Sequence, residues 1–322
     1  MPEQQVVSSS PITSTWQSQQ KWSKAANRFK KSYQGWKLVA LVLSCVGAVL
    51  AVASDQMATH WGQLAQYMHG WVAGMGALSL VLVPVVTRLG TSHSALERWL
   101  RARSVSEQLK TEIYQYLTRT GPYSESEPDL ALIERRDSLL EKMADLEPEI
   151  AGLVAGRPLP AVKDIATYIT HRVNGQIEKY YEPRAAYHHR WAVIYRWIEG
   201  ILAVVGAVVA ATSSIKDNPI AATWVAVLTT VGTAVAAHLM AQRHEQLVPD
   251  YLATARRLRS LKERFLVANP NVEKAQASAI NTFVTAAEAA ISVQSEGWMA
   301  EWLKTPTPEA PTIPERKLMS KL

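Results

Sequence analysis

Few side chains in this sequence stand where they could do chemistry. Glu199 is a carboxylate about one helical turn inside an apolar stretch, with Arg196 three residues back on the same helical face. An ionisable group inside an apolar span is costly and faces a cavity, a partner or the interface. Two readings stay open: a local pair with Arg196 or simple snorkelling, or an acidic ring at a pore mouth built from several copies. Arg88, just past Pro84 at the end of another apolar stretch, can line the same mouth or serve as a stop-transfer charge. The eight histidines are scattered, and His188-His189 beside Arg190 is their one cluster. Adjacent helical residues diverge by about 100° and make poor co-ligands. Thr229-Thr230-Val231-Gly232-Thr233 looks like a potassium-filter string, but a filter sits in a re-entrant loop and this string lies mid-helix. No P-loop, GxSxG, HExxH or dinucleotide-binding glycine pattern occurs. The single cysteine, Cys45, allows no intrachain disulfide and belongs to no metal cluster. The sequence thus predicts no catalytic, cofactor-binding or metal-ligating residue, and the chain is not expected to be an enzyme.

The elements that must hold these residues are apolar helices. Mean hydropathy is only −0.05, but the average hides segregation into four blocks nearly free of charge, at 37–54, 71–86, 198–213 and 220–240. Crossing about 30 Å of hydrocarbon takes roughly 17–25 helical residues. Three blocks sit at the short end of that range, and all are too long for strands of about 4–8 residues. Small residues at membrane depth (Gly47, Ala51, Gly74, Gly76, Gly206, Ala210 and Gly232) are expected to let helices approach closely. The competing architecture is a soluble bundle whose core helices happen to be apolar.

Charge sets an expected orientation. Net charge is +6, and the basic residues flank the blocks without forming a long Lys/Arg run of the nucleic-acid-binding kind. Lys21, Lys24, Arg28, Lys30, Lys31 and Lys37 precede the first block, and Arg88, Arg98, Arg101 and Arg103 follow the second. The intervening loop, expected over 55–70, has no Lys or Arg. Arg184, Arg190 and Arg196, then Arg243, Arg256, Arg257 and Arg259, flank the second pair, whose turn holds only Lys216. The positive-inside rule then places both termini and the central segment in the cytoplasm. Trp36, Trp191, Tyr195 and Trp197 would mark the inner interface, and Trp61, Tyr67 and Trp71 the outer one. Residues 1–20 are polar and lack the apolar core of a secretory signal.

The two halves resemble each other. VGAVLAVAS at 46–54 and VGAVVAATS at 205–213 share six of nine residues at an offset of 159, and Leu109-Lys110 aligns with Leu261-Lys262 at 152. Both halves share one topology, which makes the repeat parallel, unlike the inverted repeats of many transporters. After each hairpin an amphipathic helix is expected, at 95–117 and 247–267, with apolar residues three to five apart. Further helices are expected at 129–150, from about 162 towards 181, and at 271–303. The predicted fold is an all-α membrane protein: four transmembrane helices as two tandem hairpins, with long amphipathic cytoplasmic helices. Its divisions are a disordered tail (1–20), a first hairpin unit (21–123), a helical linker (124–182), a second hairpin unit (183–304) and a Pro-rich disordered tail (305–322).

The segment WLRARSVSEQLKTE at 99–112, followed by Gly121-Pro122-Tyr123, resembles the SLATT family, the SMODS- and SLOG-associating two-transmembrane effector domain. YITHRVNGQIEKYY at 168–181 is similar to the lead-in helix of the second unit in its tandem members. The resemblance implies a bacterial inner-membrane effector that makes pores in nucleotide-signalled defence systems, where a separate protein makes or senses the nucleotide. This chain departs from that picture in carrying no recognisable sensor domain. The function expected is an oligomeric channel or pore gated from the cytoplasmic side, with the lipid bilayer and further copies of itself as partners and no nucleic acid. The rivals are a non-conducting scaffold that docks a cytosolic protein, and a small-solute transporter.

Overall fold

Charge distribution along each long helix decides where it packs. The structure, a computed structural model, describes residues 10–60, 63–125, 127–216 and 219–304. It is helical, with no strand among the described residues. Helix α1 (Pro11–His60) is followed by α2 (Gln63–Gly90) and α3 (His93–Leu117). A linker carries α4 (Pro128–Glu141) and the single turns α5 (Glu147–Ile150) and α6 (Ile165–Tyr168). The second half repeats the order with α7 (Glu182–Lys216), α8 (Pro219–Gln242) and α9 (His244–Ala268), and α10 (Ala277–Lys304) ends the described chain.

Fifty residues of α1 make a rod about 75 Å long at 1.5 Å per residue. Its amino-terminal half packs into a polar-faced bundle; its carboxy-terminal half is apolar and exposed. The same division holds for α7, whose amino-terminal part buries Ala185 and Ala192. Leu38, Val42, Val46 and Val49 of α1, Leu78 and Val81 of α2, and Ile201, Val204 and Val208 of α7 all present their side chains outward. Among the described residues four helices are long and apolar enough to cross a membrane, and their most apolar windows are 11%, 6%, 0% and 6% buried. A soluble bundle buries such faces; a chain that leaves them bare needs lipid around them. This excludes the apolar-core soluble bundle.

The true core lies outside the spans, in two clusters. One joins α1, α3 and the α5 region through Trp22, Tyr33, Trp99, Leu109, Met143 and Leu146. The other joins the segment after α6 to α9 and α10 through Tyr168, Val173, Tyr181, Leu258, Phe283 and Val284. Amphipathic α3 supplies both: Leu96, Leu100 and Leu109 face the first, and Tyr114 the second. Ser92 caps α3 by accepting from the Ala95 amide, a use of an otherwise unpaired N–H.

Several expectations need correction. The tail expected to be disordered to residue 20 is helical from Pro11, which takes the N1 position that suits proline. Its polar residues have remote partners. Trp16 Nε1 donates to the carbonyls of Arg157 and Pro158 (3.0 and 2.9 Å), and Gln20 Oε1 accepts from the amides of Gly156 and Arg157. Residues 1–9 and the expected Pro-rich tail at 305–322 lie outside the described residues. The loop expected over 55–70 is helical up to His60 and again from Gln63, so both helices of the hairpin outrun their apolar blocks; Trp61 lies outside the described residues. The helix expected at 129–150 breaks after Glu141, because Pro148 permits only the first turn of a new helix there. The segment 169–181 is π-helical at Ile169–Asn174 and Ile177–Tyr181. Asp164 starts it with a capping box, its carboxylate accepting from the Thr167 amide at 2.7 Å.

Candidate functional site

Three places combine unusual geometry with charge. The first is the seam where the segment after α6 meets α3 and α10. Glu288 of α10 and Arg172 of the π-helical segment are 0% and 1% exposed and form a forked pair at 2.9 and 2.7 Å. The Glu288 carboxylate also accepts from the Tyr168 hydroxyl at 2.9 Å and from the Thr111 hydroxyl of α3 at 3.2 Å. The Arg172 guanidinium lies 4.4 Å from the centre of the Tyr114 ring, an added cation–π contact. Burial alone would drive the guanidinium towards neutrality, but Glu288 outweighs it and holds Arg172 above its ordinary value. Burial, reinforced by Glu288, keeps Tyr168 a protonated donor. One carboxylate thus ties together three elements, and the π-helical segment it grips runs directly into the transmembrane helix α7.

That segment is physically unusual. A π-helix widens the turn and recurs as an insertion near functional positions. Here it buries Arg172 and Tyr181, and Tyr168, the last residue of α6, is buried beside it. The sequence reading treated 168–181 only as a lead-in helix, and nothing local marks Glu288 as the partner of a residue 116 positions away.

The second place is the inner end of the second hairpin. Arg196 and Glu199 line one pocket with Arg243, His244 and Glu245. The pair expected between Arg196 and Glu199 is not made: Arg196 donates instead to Glu245 of α9 at 2.9 Å. Both partners are exposed, so this bridge contributes little. Glu199 is left exposed at the mouth of a second, lengthwise crevice between α7 and α8, lined by Ala203, Gly206, Thr229, Gly232 and Ala236. Arg88 is exposed at the end of α2 and is not among the residues lining either opening.

The small residues divide sharply. A Cβ on Gly76 would stand 3.1 Å from the Ala51 amide nitrogen and 3.2 Å from Leu50 Cβ, and one on Gly47 would stand 2.7 Å from Leu80. Gly47, Ala51 and Gly76 therefore hold α1 against α2, as expected of close helix packing. Gly74, Gly206 and Gly232 have nothing within 4 Å of such a Cβ. A side chain at these three positions would meet open space among the described residues. Ala210, half-buried on α7, lies one turn beyond Gly206. The Thr229–Thr233 string is regular helix, with Thr229, Thr230 and Thr233 each bonded back to a carbonyl four residues earlier, so it forms no filter loop.

The third place is a pair of imidazoles. His188 of α7 and His244 of α9 approach at 2.8 Å, Nδ1 to Nδ1, so one ring must donate and the other accept. Burial, then the neighbouring His244, Arg184 and Lys30, push His188 down to about 4. His189, expected to share a cluster with His188, points elsewhere and is exposed. No group of three or more metal-ligating side chains occurs among the described residues.

No curated protein matches the chain, and neither does any solved structure. Residues 19–129 match a family described as a protein of unknown function, DUF4231. That match falls on the half whose residues 99–112 carry part of the resemblance seen in the sequence. The remainder falls where the π-helical segment, the second hairpin and Glu288 lie. Residues 168–298 match the family described as the SMODS and SLOG-associating 2TM effector domain.

Proposed function

We propose that this protein is a subunit of an oligomeric channel or pore-forming effector, opened by its polar helical layer and lying in a bacterial cytoplasmic membrane with both termini cytoplasmic. The observation that carries the proposal is the bare small-residue crevice of the second hairpin. Gly206 and Gly232 leave an opening of about 550 Å³ with Glu199 in its wall, and a side chain at either glycine would meet open space among the described residues. In lipid, association runs through such small-residue faces. A ring of copies joined there would gather one Glu199 per subunit around an axis lined by Val, Ala and Thr, a geometry that can gate by dewetting. The effector family of residues 168–298 supports the same reading, as does the absence of any catalytic motif; we read the protein as non-enzymatic. The partner supplying the signal would be a separate nucleotide-sensing or nucleotide-producing protein. The two similar halves are read here as a tandem of one hairpin unit.

A scaffold that conducts nothing is the second reading, favoured by the largely apolar outward surface of the spanning parts of α2 and α7. Single-channel recording of Glu199→Gln separates the two. In a channel the variant assembles normally and loses preference for cations. Unaltered selectivity in a conducting variant would remove Glu199 from the path.

A further inference from the structure

The two halves meet around a cavity of about 120 Å³ in the polar bundle, separate from the spans and from the buried Arg172–Glu288 pair. Its wall draws on α1, α3, the π-helical segment, α7, α9 and α10, and four cations face into it: Lys30, Arg103, Lys110 and Arg184. Glu107 is the one carboxylate in that wall. It is already shared, at 3.0 Å from Arg103 and 3.9 Å from Lys110. Lys30 and Arg184 rest over the Trp99 and Tyr180 rings at 5.8 and 5.7 Å, without a carboxylate partner among the described residues. Three positive charges are therefore uncompensated in a partly desolvated space, where repulsion between like charges is strong. The consequence is visible in the ammonium groups. Burial and the nearby guanidiniums of Arg184 and Arg103 hold Lys30 down to about 8, and burial brings Lys110 to about 8 as well, against the pull of Glu107.

We propose that this cavity is a binding site for a small multivalent oxyanion of the phosphate class, a free phosphate or pyrophosphate group from solution, that bridges the two halves of the chain. The tyrosine hydroxyls of the wall complete the donor set; burial keeps Tyr181 and Tyr251 protonated. Size argues for a small group or one charged end of a longer molecule, since whole small-molecule sites run to roughly 300–1,000 Å³. Depth argues against a lipid headgroup. Lys30 lies seven residues, about 10 Å, before the first apolar block, and Arg184 fourteen residues, about 21 Å, before the third. The headgroup layer extends only about 5–8 Å beyond the hydrocarbon. The proposal is independent of whether the protein conducts, because binding is measured on the full chain in detergent.

The test is calorimetric titration with sodium pyrophosphate in 0.15 M NaCl, beside melting curves with and without the anion, for the wild type, Arg184→Gln and Lys110→Gln. The expected result is saturable binding that raises the melting temperature, weakened about tenfold or more by either substitution, as loss of one charged hydrogen bond implies. Arg184 is exposed, so Arg184→Gln is expected to fold and, without anion, to melt no lower than wild type because repulsion is relieved. Absence of saturable binding beyond a matched-ionic-strength chloride control would overturn the site. So would binding that both substitutions leave unchanged. Silence towards pyrophosphate together with Lys110-dependent binding to phosphatidic-acid vesicles would refute the soluble source in favour of a headgroup.

Discussion

Glu288→Gln isolates the contact on which the seam depends. The substitution keeps shape and removes one charge, leaving the Arg172 guanidinium, 1% exposed, without its counter-ion. One of its terminal nitrogens, Nη1, already has no hydrogen-bond partner. Breaking one side of a buried pair costs about 3–5 kcal/mol, because the surviving charge stays desolvated, whereas replacing both sides with apolar residues is often nearly neutral. At roughly 2–4 °C per kcal/mol for a bundle of this size, Glu288→Gln should lower the melting temperature by about 6–20 °C. The double variant Arg172→Met/Glu288→Leu should recover most of that loss, though not all, since Tyr168 and Thr111 lose their acceptor. Intrinsic tryptophan fluorescence during heating of the detergent-solubilised protein reads both. A single variant that melts within about 2 °C of wild type would refute the idea that this pair closes the seam.

Three further outcomes follow from the same geometry. His188 is held neutral in the folded chain at about 4, while an unfolded histidine takes a proton near 6.5. Its contribution is intact above pH 6.5 and lost between there and about pH 4, so wild type should lose more melting temperature from pH 7 to 5 than His188→Asn; equal losses would show that the imidazole pair does not matter. Gly76→Val must push a side chain into the Ala51 backbone and should cost about 1–3 kcal/mol by overpacking, read as earlier unfolding or lower yield of the first hairpin. Gly206→Val meets open space and should leave the monomer's melting unchanged while shifting the oligomer towards smaller species in size-exclusion light scattering; an unchanged oligomer would show that the crevice is not an assembly face.

How much of this was legible in the sequence follows from the range of each interaction. The four spans were legible because charge exclusion acts residue by residue and needs no knowledge of partners. Amphipathic α3 and α9 were legible for the same reason, since periodicity is local. Long-range polar contacts were not. Gln20 and Trp16 look like solvated tail residues until the 156–158 backbone is placed beside them. Arg172 and Glu288 each look like a solvated helix charge, and only the fold brings them together. In the sequence His188 stands beside only His189, whose side chain diverges from it, while its partner, His244, comes from another helix. Composition identified the small residues, but only the fold separates Gly47 and Gly76, which pack within the chain, from Gly206 and Gly232, which do not.

The central claim is that several copies enclose a conducting path. The most direct measurement is planar-bilayer recording of the purified protein, paired with the mass of the same preparation by light scattering. A channel should give a defined oligomer and discrete current steps whose cation preference depends on Glu199. A monodisperse monomer or dimer that leaves the bilayer silent, with and without added nucleotides, would contradict it and leave the scaffold reading in its place.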